Sequence, residues 1–181
     1  FKRINDYGRK AGFLVEHYII SSGMREIIKS TSIADEFKRI YACRYYYDET
    51  HTATWPAQVV NYTAKTQYIF RINKQVLDVN DDADLNKFVP QTERPIPFER
   101  MIYIADGLTD VPCMRLVKEY GGKSIAVYSN SDAVAKSLKD VGRVNYIAKA
   151  DYSSGSKMEM IVQSILDHMK ADEVLKKYEE K

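Results

Sequence analysis

The sequence has few residues of the kinds that bind metals or form disulfides. Its only cysteines, Cys43 and Cys113, form neither a disulfide framework nor a metal-ligand cluster, so we expect two reduced thiols. His17 and His51 have no partners at ligand spacing, and His168 lies on the polar side of the last helix, so we predict no chemistry for the three histidines. These absences exclude a disulfide-stapled scaffold and a cysteine-based metal site.

The chain also lacks an excess of either charge and any long apolar run. Lysine and arginine number 27 against 25 acidic residues, and a net charge of +2 is far below the basic field that nucleic-acid binding usually needs. No apolar run approaches the length of a membrane span, and no charged-then-apolar leader opens the chain. We therefore predict a cytoplasmic protein with neither nucleic acid nor membrane as a partner.

What the sequence does contain is enough apolar material for a buried core. With 181 residues, 45% of them hydrophobic, we expect one domain or one domain with an insertion. The first residues already read as the middle of an amphipathic helix, with Phe1, Ile4 and Ala11 on one side. This pattern leads us to expect that the chain is a piece of a longer protein.

Strand and helix patterns alternate along most of the chain. Apolar stretches at 13–21, 101–105, 124–129 and 143–148 are typical of buried strands, and amphipathic segments separate them. This alternation predicts an α/β fold with a three-layer, Rossmann-like, mostly parallel sheet and helices on both faces. Residues 39–57 have two β-rich arms around a polar centre, which predicts a hairpin standing off the main sheet.

Several local signals set the expected element boundaries. Ser32 is a plausible cap for a short helix through Phe37, and residues 78–84 read as an acidic loop. The last helix is expected from Ser156, where Ser156 and Glu159 form a capping box. An apolar stripe follows on that helix: Met158, Ile161, Val162, Ile165 and Met169.

Two acids in the stretch "MIYIADGLTD" are the first candidate site. Asp106 ends a predicted parallel strand, where open α/β sheets bind ligands, and Asp110 caps the next helix and faces the same space. Two carboxylates there suit Mg²⁺, which binds through one or two carboxylates and keeps water or phosphate oxygens. The alternative is structural, because a strand-end Asp beside a helix-cap Asp also occurs without any metal.

Two further stretches carry candidate anion-binding groups. "YIISSG" ends a strand on Ser21 and Ser22 before Gly23 and a helix, so a hydroxyl and backbone amides lie at a helix start that favours anions. The alternative is a serine that only caps the helix. Lys65 opens another helix, and its alternative is a solvated surface lysine.

Taken in chain order, the three stretches resemble the haloacid dehalogenase superfamily, specifically its phosphoserine-phosphatase-like hydrolases. The family's second motif, a Ser or Thr ending an apolar strand, matches Ser21, and its third, a Lys opening a helix, matches Lys65. The fourth motif, Gly-Asp-Gly-x-x-Asp, matches "ADGLTD" with Asp106 and Asp110, and departs from it only in Ala105. The resemblance runs from about Val15 to the strand ending near Tyr128.

The resemblance implies a two-step phosphoryl transfer through an aspartyl-phosphate. Ser21 would hydrogen-bond a phosphate oxygen with help from the amides of Ser22 and Gly23, and Lys65 would offset the charge of nucleophile and phosphoryl group. Asp106 would ligate Mg²⁺, and Asp110 would hold the ion directly or through water. Electrostatic positioning of this kind supplies most of the catalysis in phosphoryl transfer.

The family's first motif, an Asp-x-Asp strand that carries the nucleophile, has no counterpart between Phe1 and Val15. Asp82 and Asp84 form an Asp-x-Asp pair, but they follow the second motif and no apolar strand leads into them. We therefore expect residues 1–181 to be a core of this type that lacks its first strand and cap, with the hairpin at about 39–57 as an insertion. Such a chain would be inactive alone and would form a homodimer or associate with the missing N-terminal segment.

The leading interpretation is a Mg²⁺-dependent phosphohydrolase that acts on a small phosphorylated metabolite. The alternative is a catalytically inactive protein of the same fold that binds a phosphorylated ligand or a protein partner. A third possibility is an α/β interaction module in which the motif matches are coincidental. Aromatic residues of the hairpin, Tyr45, Tyr46, Tyr47 and Trp55, suit either a pocket wall or cross-strand packing.

Overall fold

A computed structural model describes residues 1–179 of the chain. In chain order its elements are α1 (Lys2–Ala11), β1 (His17–Met24), α2 (Arg25–Lys29), β2 (Phe37–Tyr47), β3 (Ala53–Gln58), α3 (Lys65–Lys74), α4 (Asp82–Asn86), β4 (Ile102–Ala105), α5 (Val111–Glu119), β5 (Lys123–Tyr128), α6 (Ala133–Asp140), β6 (Tyr146–Lys149) and α7 (Lys157–Glu179). These elements form two compact units. We name them by their place in the sequence: the central unit is Glu16–Val89, and the flanking unit is Phe1–Val15 with Pro90–Lys181.

The central unit is built on a three-stranded sheet in the order β1-β2-β3. β1 and β2 are parallel, whereas β2 and β3 form an antiparallel hairpin. The ring of Tyr41 on β2 stacks on that of Tyr68 on α3, with centroids 4.6 Å apart. The buried apolar residues of this unit are Tyr41, Ala42, Val60, Tyr68, Ile69 and Ile72.

The parallel ladder of the central unit is irregular near the end of β1. Ile20 pairs with Tyr41, and Met24 pairs with Cys43, so four steps along β1 correspond to two along β2. The backbone between Ile20 and Met24 is therefore displaced from regular pairing, as in a β-bulge.

The flanking unit contains a parallel sheet in the order β4-β5-β6. Successive side chains of a strand point to opposite faces, and β5 shows this alternation. Ile125 and Val127 belong to one buried cluster, which includes Val162 and Ile165 of α7. Ala126 belongs to a second cluster with residues of α5 and α6: Val111, Met114, Ala135 and Leu138.

Polar contacts join α1 to the region of α7 within the flanking unit. Arg3 forms an ion pair with Glu159 and donates to the backbone carbonyl of Tyr152 at 2.7 Å. Tyr7 donates from its hydroxyl to Asp167 at 2.8 Å. The predicted capping box is half present, because the Glu159 amide donates to Ser156 Oγ while the Glu159 carboxylate accepts from the amide of Gly155.

The predicted α/β class is confirmed as a mixed α/β fold with partly parallel sheets. The described strands form two sheets of three, so the three-layer, Rossmann-like, mostly parallel sheet stays a prediction. Apolar alternation identifies a buried strand but not its neighbour, because pairing depends on contacts distant in sequence. In residues 1–179, no helix combines the length and apolar character that a membrane crossing requires.

Three local boundaries differ from the sequence prediction. The first strand begins at His17 instead of residue 13, because Phe13 and Val15 pack against the apolar cluster of the flanking unit. The helix expected through Phe37 is a 3-10 turn at Ala34–Glu36, since Phe37 already begins β2. Part of the expected acidic loop is helical, because the Asp81 carboxylate accepts from the Asp84 amide and caps α4.

Candidate functional site

Ser21, Ser22 and Gly23 lie in the irregular part of β1. Ser21 Oγ accepts a hydrogen bond from the Gly23 amide at 3.0 Å, and the Ser22 carbonyl accepts one from the Cys43 thiol at 3.5 Å. Neither serine caps α2, because the N-cap residue of this helix is Met24. The simple capping alternative is therefore wrong. Because the Gly23 amide already donates to Ser21, it would have to change partner to contact a phosphate.

Lys65 is the first residue of α3 and is only 5% exposed. The alternative of a solvated surface lysine is therefore wrong. Burial of an ammonium group is costly unless polar groups compensate it, which makes this position unusual for a lysine. Helical spacing places Lys65 on the same face as the buried Tyr68 and Ile69, but its charge favoured a surface position in the sequence.

Asp106 follows β4 directly and is exposed. Its strand is parallel to β5, with Ala105 opposite Ala126, so the carboxylate lies at the carboxyl end of a parallel strand. The charge of Asp106 also influences Tyr152. Burial is the main cause of the raised pKa of Tyr152, and the nearby Asp106 carboxylate adds to it.

Asp110 has a different environment, although it lies only four residues farther on. It is 7% exposed and precedes α5, but its side chain makes no capping hydrogen bond to that helix. Its Oδ1 accepts from the hydroxyl of Tyr103 at 2.6 Å, and its Oδ2 accepts from Thr109 Oγ1 at 3.3 Å. The carboxylate is thus fixed by side chains, which argues against a plain helix cap.

Tyr103 is a partner of Asp110 that sequence analysis missed. Burial is the largest cause of its raised pKa, and Cys113 and Asp110 act in the same direction. The phenol therefore stays protonated and donates to the carboxylate at neutral pH. Tyr103 lies in the middle of β4, where its aromatic ring fits a strand pattern and gives no sign of a polar role.

The predicted site residues fall into two groups. Ser21, Ser22, Gly23 and Lys65 belong to the central unit, and Asp106 and Asp110 belong to the flanking unit. Within residues 1–179, no group of three or more His, Cys, Asp or Glu side chains is arranged to hold a metal ion. Any Mg²⁺ site built from Asp106 and Asp110 would therefore rely on water or substrate oxygens for its remaining ligands.

Comparison with known proteins gives a relative but no family. No family model matches the chain. Over 161 residues the chain is 30% identical to an uncharacterized protein of Borreliella burgdorferi. The aligned region covers 80% of this chain and 55% of the relative. The chain thus spans about half the length of the curated relative it matches.

Proposed function

We propose that this chain is part of a Mg²⁺-dependent phosphohydrolase of the haloacid dehalogenase type, which acts on a small phosphorylated metabolite through an aspartyl-phosphate. The observation that carries the proposal is the arrangement at the end of β4. Asp106 is exposed directly after a parallel strand, and four residues on, Asp110 is buried and held by Tyr103. This arrangement supports a specific role for both acids.

The donor chemistry of this pair fits Mg²⁺. Both groups are hard carboxylate oxygens, and Mg²⁺ needs only one or two carboxylates when water and phosphate oxygens complete its shell. In the proposal Asp106 ligates the ion directly, while Asp110 holds it directly or through water. The bound ion would neutralise charge on the phosphoryl group.

Ser21 and Lys65 are the proposed phosphate-binding groups. Ser21 lies where β1 departs from regular pairing, which leaves backbone groups of Ser22 and Gly23 outside the ladder. Lys65 is buried in the same unit, a setting that favours a specific charge role over solvation. The nucleophilic aspartate and the aspartate that serves as acid and base would come from a strand upstream of this chain.

Open strand edges support the proposal that the complete protein has further strands. Among the described strands, β1 pairs only with β2, and β4 pairs only with β5. Unpaired edges are usually covered in native proteins. We propose that an upstream segment or a second copy covers them and gives the three-layer, Rossmann-like, mostly parallel sheet. We also propose a cytoplasmic location, in keeping with Cys43 and Cys113, which form no disulfide.

A phosphatase assay tests this proposal. Phosphate release from a generic phosphomonoester would be measured with and without Mg²⁺ for the complete gene product, this 181-residue chain and the Asp106→Asn variant of the complete protein. We expect Mg²⁺-dependent activity only in the complete protein, reduced by about 100-fold in the variant. Asp140→Asn, which removes an exposed acid at the end of α6, is the matched control and should retain activity.

The outcomes separate the candidate functions. Activity that persists in Asp106→Asn would contradict the assigned metal ligand. If the complete protein released no phosphate from any phosphomonoester, the proposed enzyme activity would be contradicted. That result would favour an inactive protein of this fold that binds a phosphorylated ligand or a protein partner.

A further inference from the structure

The central unit contains a polar pocket that is lined by three arginines and by none of the phosphate-binding residues proposed above. Its volume is about 210 Å³. The polar side chains that line it are Arg25, Arg39, Arg44, Gln58, Asp78 and Asn80. We propose that this pocket binds a small oxyanion, a phosphate or dicarboxylate group, as a second anion site that does not depend on the phosphohydrolase proposal.

The charges and unmet hydrogen bonds of the lining favour an anion. Three guanidinium groups line the pocket against one carboxylate, that of Asp78. The Nε atoms of Arg25 and Arg44 are buried and have no hydrogen-bond partner among the described residues. Because buried donors in native proteins are nearly always paired, these two leave their guanidinium groups incompletely compensated. A bound oxyanion would offset the guanidinium charge and relieve the repulsion among the arginines.

Hydrogen bonds from Arg71 hold the segment 78–80, which forms one wall of the pocket. This arginine is 1% exposed, and its guanidinium donates to the carbonyls of Asp78, Val79 and Asp81 at 2.6–3.0 Å. It also pairs with the Asp82 carboxylate at 2.7 Å. A wall ordered before binding reduces the conformational entropy that the protein would otherwise lose when the anion binds.

A second hydrogen bond positions Tyr41 in the same pocket. Tyr41 lines it and donates from its hydroxyl to the carbonyl of Leu77 at 3.1 Å. Its ring is stacked on Tyr68, which holds β2 against α3. The lining strand and the lining loop are thus joined directly.

The size and donor types of the pocket define the ligand class. A volume of 210 Å³ is below the roughly 300–1,000 Å³ of sites for drug-sized ligands, so a small anion fits better than a nucleotide. Guanidinium groups bind phosphate and carboxylate oxygens in bidentate pairs. Amide groups of Gln58 and Asn80 on the lining add neutral polar atoms.

Calorimetric titration of this chain with inorganic phosphate, and separately with malonate, tests the site at low ionic strength. We expect at least one of these anions to bind, and we expect Arg25→Gln and Arg44→Gln each to weaken that binding by about 10-fold or more. Arg44→Lys should also weaken it, because lysine keeps the charge but lacks the planar fork. The anion that binds identifies phosphate or carboxylate as the preferred group.

Two controls make the test specific. Lys29→Gln removes a positive charge from the exposed end of α2 and should leave anion binding unchanged. Lys87→Gln, which removes an exposed charge just after α4 and outside the pocket lining, should also leave it unchanged. Circular dichroism would verify folding, and Arg25→Gln suffices if Arg44→Gln does not fold. Failure of both anions to bind, or equal affinity in wild type and folded arginine variants, would overturn the proposal.

Discussion

At the scale of single residues, the two acids after β4 differ in environment more than in sequence. Asp106 is exposed, whereas Asp110 is buried and accepts a hydrogen bond from Tyr103. A buried carboxylate is stable in its charged form only when donors compensate the lost hydration. The phenol of Tyr103 therefore helps to stabilise the buried Asp110, one of the two acids of the proposed metal site.

This hydrogen bond predicts the effect of Tyr103→Phe. The substitution leaves the ring in place and removes one donor to a buried carboxylate, so the free energy of unfolding should fall by about 1–3 kcal/mol. Urea denaturation of both proteins measures the difference. Tyr120→Phe, which changes a ring 44% exposed in the same unit, is the control and should have little effect. Equal stability of Tyr103→Phe and wild type would contradict the assigned role.

The local sequence pattern identifies some of these residues but not their surroundings. It placed Asp106 correctly at the end of a strand, because the apolar run before it is unambiguous. It left open whether Lys65 was a surface residue, because helical spacing puts it on the face of Tyr68 and Ile69 but tertiary packing decides whether a charged side chain there is buried. Tyr103 and the pocket arginines were missed for the same reason.

At the scale of elements, α1 and α7 show which features of a helix can be predicted from the local sequence pattern. Amphipathic spacing predicted both helices, and the capping residues placed the start of α7 near Ser156. The second half of the capping box is replaced, because Glu159 accepts from Gly155 and from Arg3 of α1. A contact between residues so far apart in sequence could not be read from the capping pattern.

The pairing of Glu159 predicts a pH dependence of stability. Its pKa is lowered from the ordinary 4.5, first by the hydrogen bond from Arg3 and then by the Gly155 amide. A group whose pKa is lower in the folded state stabilises the protein above its unfolded pKa, and that contribution is lost as pH falls through the folded pKa. Tm should therefore fall between about pH 5 and pH 3, and less steeply in Glu159→Gln.

Differential scanning fluorimetry across that pH range measures this slope. The control is Glu119→Gln, which removes an exposed acid from the end of α5. Parallel pH profiles for wild type and Glu159→Gln would contradict a stabilising role of the Arg3–Glu159 pair.

At the scale of the whole molecule, composition and local pattern predicted the class but not the arrangement of strands. The mixed α/β character follows from alternating strand and helix patterns. The division of the described strands between two sheets does not, since register and pairing are decided by long-range contacts. Likewise, a net charge of +2 gives no indication that three arginines line one pocket of the central unit.

We propose for the molecule as a whole that the end of β4 forms a Mg²⁺ site. A ligand that binds only the folded state raises stability by RT ln(1 + [L]/Kd), about 1.4 kcal/mol at ten times Kd. This property can be measured on the 181-residue chain and does not require the nucleophile.

The most direct measurement is therefore the stability of this chain as a function of Mg²⁺ concentration, for wild type, Asp106→Asn and the control Asp140→Asn. We predict that Mg²⁺ raises Tm of wild type and of Asp140→Asn, and that it leaves Tm of Asp106→Asn unchanged. A Tm of wild type that does not respond to Mg²⁺, or an equal response in Asp106→Asn, would contradict the account.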